Sequence, residues 1–189
     1  AKGRWVEGPS LDWDHLPRRV EAVIAAHIAR LPPEEQELLS VASVEGEEFH
    51  AEVAAHVLKR DAEWVLASLS GAMSQQHRLV SAQSLRRVGE QRFSRYRFRH
   101  YLFQQYLDGQ LDPVRRAHLH GEVANALEAL GARASSLANI TDILEILADS
   151  REDLLANPAP IASEATMAWH WEEAGEMEKA ALYHIHAGR

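Results

Sequence analysis

Cysteine is absent from this 189-residue chain. Disulfides and thiolate metal sites are thereby excluded, and the composition suits a reducing compartment, so a cytoplasmic location is expected. No apolar run approaches the eighteen residues that a membrane-spanning helix needs, and no membrane partner is expected. The opening Ala1-Lys2-Gly3-Arg4-Trp5 lacks the apolar stretch of a signal peptide. Positive charge is scarce: 20 Lys and Arg stand against 28 Asp and Glu, a net charge of −8. That balance speaks against general nucleic-acid binding, whose usual footprint is a basic excess. Enzyme motifs are missing as well. There is no Gly-x-x-x-x-Gly-Lys-Ser/Thr phosphate loop, no His-Glu-x-x-His helix and no Gly-x-Ser-x-Gly elbow. The chain is accordingly read as non-catalytic, with no catalytic residue, metal or cofactor of its own. Its eleven histidines do not change this. His118 and His120, like His184 and His186, are two apart on predicted helices and point to different sides, so neither pair chelates from one helical face.

What remains is an ordinary globular composition, 46% apolar and 25% charged, enough for one good-sized domain or two small ones. Residues 1–16 have no periodicity and read as a linker or arm. Pro17 opens a helix whose Val20, Val23, Ile24, His27, Ile28 and Leu31 share one face, and Leu31-Pro32-Pro33 stops it. Glu34 and Glu35 start a second helix that ends at Gly46. Phe49–Leu58 reads as a third, and Asp61 caps a fourth that runs to Gln76. Arg78–Ser81 and Phe93–Phe98 then favour β-structure around a connector containing Gly89, which predicts a hairpin. Helices followed by such a wing make residues 17–110 a winged-helix-like domain.

Tyr101–Gln110 is the next helix. Asp112-Pro113 begins another, with Leu119, Val123, Leu127 and Leu130 towards a core and Gly131 as its C-cap. Thr141–Glu145 is read as starting a short helix, Ser150–Asp153 as capping another, and Asn157–Pro160 as a break. Residues 111–160 thus form a helical connector. Residues 161–189 read as two helices joined at Gly175, with small Ala168, Ala180 and Ala187 beside bulky Trp171 and Tyr183, as in a tetratricopeptide unit. The fold class expected is mainly α: a winged-helix-like domain with a small β-hairpin, then a helical hairpin. The first residue is not Met and the last lie inside a helical pattern, from which an excised piece of a longer protein is expected.

Two features carry the functional reading. Arg86, Arg87, Arg92, Arg95, Arg97 and Arg99 crowd the hairpin against the single acid Glu90, a local stripe able to grip phosphates on an acidic protein. The alternative is a solvated wing whose arginines pair with nearby acids. Trp169-His170-Trp171 offers an aromatic interaction platform at Trp169 and Trp171, although the spacing of Trp171 suits interhelix packing better.

In order along the chain, Leu16-Pro17 with Val20 and Ile24, Ile28–Pro32, Leu38–Phe49, Tyr96–His100, Arg115–His120 and Glu173–Ala180 with Tyr183 resemble one arrangement. It is the region after the nucleotide-binding module of STAND-class signalling ATPases. These include maltose-regulator-like transcription factors and AAA-module proteins fused to cyclase or kinase domains. The stretch 132–160 departs from the pattern and reads as an insertion. The resemblance implies ATP or ADP bound by an upstream module, downstream helical repeats and protein partners. It also implies a role for His100. In related ATPases a histidine of an "MHD"-like motif touches the β-phosphate of ADP where the wing strand enters the next helix. Here Arg99 and Tyr101 flank His100 in place of Met and Asp, and Arg99 would add phosphate attraction. The runner-up is a DNA-binding winged helix using the arginine-rich wing. Against it, the candidate recognition helix Asp61–Gln76 carries Glu63 and no Lys or Arg.

Overall fold

The computed structural model describes residues 18–88, 91–148 and 161–187. The chain is mainly α-helical with one small antiparallel sheet. Residues 1–17, the connector Gly89-Glu90, and the expected cap Ser150–Asp153 and break Asn157–Pro160 lie outside the described residues. Among the described residues no helix is long and apolar enough to cross a membrane.

Helix α1 (Arg18–Ile28) buries Ile24 and Ile28, while Val23, expected on the same face, is 68% exposed. One residue before Ile24, Val23 is turned about 100° from it, outside the strip that meets the next layer. Helix α2 (Pro33–Glu45) starts on proline, whose missing N–H is no loss in a first helical turn. It is the central helix, buried almost all round through Leu38, Leu39, Val41, Ala42 and Val44. Gly46 ends it at φ 132°, ψ −162°, a backbone region open essentially to glycine alone. Gly46→Ala is expected to cost about 1–3 kcal/mol in urea unfolding.

The following residues differ from the sequence reading. Glu48–His50 form a strand, β1, and helix α3 begins only at Ala51, running to Leu58. Three residues are too few to display an alternating pattern. Pairing decides the matter: Phe49 lies opposite Tyr96, and Glu47 O accepts the Phe98 N–H at 3.0 Å. Asp61 caps helix α4 (Ala62–Ser68) as expected, its Oδ1 accepting the N–H groups of Glu63 and Trp64. The predicted single helix to Gln76 instead widens into a π-helical segment, Leu69–Gln76. Leu69 and Met73, four residues apart, both face the core from it.

Strands β2 (Val80–Val88) and β3 (Gln91–Phe98) form the predicted hairpin, longer than the pattern indicated, with a register shift between Ala82 and Ser84. Arg78 and Leu79 precede the strand, Arg78 having a left-handed φ of 52°. The sheet order is β1-β3-β2. Helix, strand, two helices and then a hairpin whose second strand pairs with β1 is a winged-helix-like arrangement. Its centre is Phe49, with ring centroids 5.2 Å from Phe98 and 6.1 Å from Tyr96.

Helix α5 (Tyr101–Gly109) follows at once. Helix α6 (Pro113–Ala148) starts from Asp112, whose Oδ1 accepts the N–H groups of Val114 and Arg115, both at 3.0 Å. Two expectations fail here. Gly131 is no C-cap, and Thr141–Glu145 starts no new helix, because α6 runs through both. A mid-helix glycine costs only about 1 kcal/mol relative to alanine, too little to stop a helix flanked by good helix formers. The first part of the apparent insertion simply prolongs α6.

Helices α7 (Glu164–Glu173) and α8 (Met177–Ala187) form the expected hairpin. Gly175, at φ 80°, makes the turn, and Ser163 Oγ accepts the Thr166 N–H at 3.1 Å as N-cap. Trp171 is 1% exposed, and Ala168 and Ala180 are buried, whereas Ala187 is exposed. Glu128 of α6 fastens the hairpin, its Oε1 accepting from Trp171 Nε1 at 3.1 Å and from the Tyr183 hydroxyl at 2.8 Å. Burial and that carboxylate push the Tyr183 phenol above its usual value. Lys179 Nζ lies 3.8 Å from the centre of the Trp171 ring, a cation–π contact.

Candidate functional site

Strand β3 ends where α5 begins, and His100 stands at the junction with extended backbone (φ −142°, ψ 129°) as the N-cap of α5. The ring is exposed and stacks on Tyr101 with centroids 5.5 Å apart. Nδ1 accepts the Leu102 N–H at 3.4 Å, which requires a lone pair on Nδ1. The neutral ring then carries its proton on Nε2, a donor beside the positive end of a nine-residue helix. Arg99 is exposed beside it, but its Nε donates to Val80 O at 3.2 Å, tying the side chain back to the sheet.

The remaining arginines divide along the wing. Arg97 donates through Nε and Nη2 to Glu47 Oε1 at 2.8 and 2.7 Å, and Arg95 pairs with Glu48 at 3.1 Å. The bond to Glu47 and its charge hold the Arg97 guanidinium above its ordinary value. Both acids belong to β1 or its approach, so the strand invisible to the sequence reading neutralises two of the six arginines of the basic stripe. Arg86 and Arg92 are exposed near the tip and pair with no described acid; the Arg87 side chain lies outside the described residues. At about 3.4 Å per strand residue, Arg92 and His100 are about 27 Å apart, so tip and junction cannot grip one small ligand together.

The outer side of α4 and the π-helical segment shows Ala62, Glu63, Ala67, Ser70 and Gln75, with no cation. Trp169 is 39% exposed on α7, and Trp171 beside it is sealed in the hairpin. Trp171 therefore packs within the chain and offers nothing to a partner. Two clefts lie among the described residues. One of about 250 Å3 lies between α2, the end of α3 and α6, crossed by Arg60–Glu34 and Arg115–Glu37 ion pairs at 3.0 and 3.2 Å. The other, about 350 Å3, lies between β1 and the start of α7. Its wall holds His50, whose Nδ1 is 2.6 Å from Glu45 Oε1 and whose N–H donates to Oε2.

One cluster escaped the sequence reading. His120 of α6 and His170 of α7 are fully buried with Nδ1 atoms 2.9 Å apart. Taking each helix alone ruled out histidine pairs along one helix and missed this one between helices. A signal existed: His120, Val123, Leu127 and Leu130 follow a 3-4-3 spacing, which puts His120 on the core stripe. Burial, then the charge of Arg116, pushes His120 down to about 4. Burial, then His120 itself, pushes His170 down to about 3. Arg116 meanwhile binds Asp108 of α5 at 3.1 Å and approaches Glu173 at 3.9 Å. Burial raises the Asp108 carboxyl, with Arg116 opposing. Among the described residues no three His, Cys, Asp or Glu side chains converge as a metal site.

No protein-family model, curated protein or solved structure matches this chain.

Proposed function

We propose that this chain is a non-catalytic regulatory and interaction region of a larger STAND-type signalling ATPase in the cytoplasm. In this reading the winged-helix-like part packs on a nucleotide-binding module, and the helical hairpin leads into a tetratricopeptide-like sensor. One observation carries it: an exposed imidazole capping the helix that follows the wing, with its Nε2 proton free to meet a phosphate. Such a region works by shifting population between a closed ADP-bound and an open ATP-bound form, the phosphate contact favouring the closed one.

The test uses the protein that joins this region to its nucleotide-binding module. His100→Ala is expected to weaken ADP retention after desalting by about ten-fold or more, the scale of one hydrogen bond to a charged group. Unchanged retention and unchanged basal activity would remove the nucleotide-sensing role. The exposed Arg86 and Arg92 favour the second reading, a DNA-binding wing. It is the weaker of the two, because the outer face of α4 has no basic side chain to enter a groove. A band shift on duplex DNA at low salt separates them. We expect none that survives physiological salt, since Arg95 and Arg97 are already answered by Glu48 and Glu47 and few counterions are left to release.

A further inference from the structure

The docking of α7 on α6 holds a contact whose chemistry depends on protons. With 2.9 Å between the Nδ1 atoms of His120 and His170, one ring donates and the other accepts. A doubly protonated pair would set two N–H groups against each other. Neither Nε2 has a hydrogen-bond partner among the described residues. An imidazolium here would therefore carry a buried, unanswered donor as well as a charge withdrawn from water. The neighbours offer no relief. Arg116 on α6 repels a second cation, and its own Nε is buried with no hydrogen-bond partner among the described residues. The nearby acids, Asp108 from α5 and Glu173 from α7, are engaged by Arg116. Trp169 packs on His120 with its ring edge-on, centroids 4.9 Å apart, and offers it no acceptor. Glu128 is already held by Trp171 and Tyr183, and Lys179 of α8 sits on Trp171.

We propose that the His120–His170 contact is a proton-operated clasp, docking the α7–α8 hairpin on α6 while both imidazoles are neutral and releasing it on acidification. The two groups titrate lower when docked than when free, so the clasp is whole above pH 6.5. It weakens as pH falls from there through about 4 and about 3. At pH 5 the loss is about thirty-fold for one imidazole exposed on release and about a thousand-fold for both. His184–Glu172 and His186–Glu164, at 2.8 and 4.0 Å, lie within the hairpin and do not bridge it to α6. The junction with α6 is therefore the acid-labile step.

Amide hydrogen exchange of the chain at pH 7.5 and pH 5, corrected for intrinsic rates, tests this. Protection across α7 and α8 is expected to fall at least about thirty-fold relative to α2. Equal protection at both pH values, or an equal loss in α2 and the hairpin, would overturn the clasp. A double variant, His120→Gln with His170→Gln, keeps an amide hydrogen bond without a titrating group and is expected to hold its protection at pH 5. If it does not fold, His120→Leu with His170→Leu replaces it. Undiminished acid lability in either folded variant would equally overturn the proposal.

Discussion

Phe49→Ala is expected to destabilise the winged-helix-like part by about 3–5 kcal/mol, the range for deleting a buried aromatic ring. Phe49 has no exposed surface, and its ring packs between Tyr96 and Phe98 of β3 while its backbone belongs to β1. The substitution opens a cavity where sheet and helices meet, and neighbouring rings can only partly collapse into it. Because β1 is just three residues long, the lost packing also weakens its pairing with β3. That pairing positions Glu47 and Glu48 against Arg97 and Arg95. Urea unfolding followed by circular dichroism measures the effect. Phe49→Leu, which keeps most of the volume, should recover the larger part of it. A loss below about 1 kcal/mol for the alanine variant would mean that the sheet does not depend on this ring.

Trp171→Ala should cost a similar amount, again about 3–5 kcal/mol, but locally. Trp171 is buried between α6 and α8, donates to Glu128 and carries Lys179 over its face. Its removal withdraws packing, a hydrogen bond to a carboxylate and a cation–π contact together, at the interface that holds the hairpin to α6. The expected signature is loss of hydrogen-exchange protection across α7 and α8 with α2 and α3 still protected. Trp171→Phe keeps an aromatic ring but removes the donor to Glu128 and part of the volume, and should cost about 1–3 kcal/mol, with the Tyr183 bond to Glu128 retained. Uniform loss of protection in the alanine variant would show that the hairpin and the winged-helix-like part unfold as one unit.

These two variants probe parts of the chain with different legibility in sequence. Helix starts were plain because capping chemistry is local: Asp61 and Asp112 bond to N–H groups two and three residues ahead. The hairpin turn at Gly175 and the termination at Gly46 were equally plain, because positive φ restricts the residue type without reference to the rest of the fold. The location of His100 at the head of α5 was legible too, since a strand pattern running directly into a helical one leaves only that position.

Other features needed the third dimension. A three-residue strand such as β1 is stabilised by its partner, and its own residues say nothing of it. Its presence changes the candidate site: the carboxylates it brings to β3 satisfy Arg95 and Arg97, while Arg86 and Arg92 nearer the tip are exposed and pair with no described acid. Gly131 read as a stop because a glycine's cost is visible in sequence, yet about 1 kcal/mol is too little to end a helix whose neighbours favour it. Local order alone therefore determined the mainly α composition, the wing and the helical hairpin, through periodicity, caps and left-handed glycines. Only the tertiary structure decided which charges cancel and which histidines meet, because His120 and His170 are fifty residues apart in sequence and become neighbours only when α7 docks on α6.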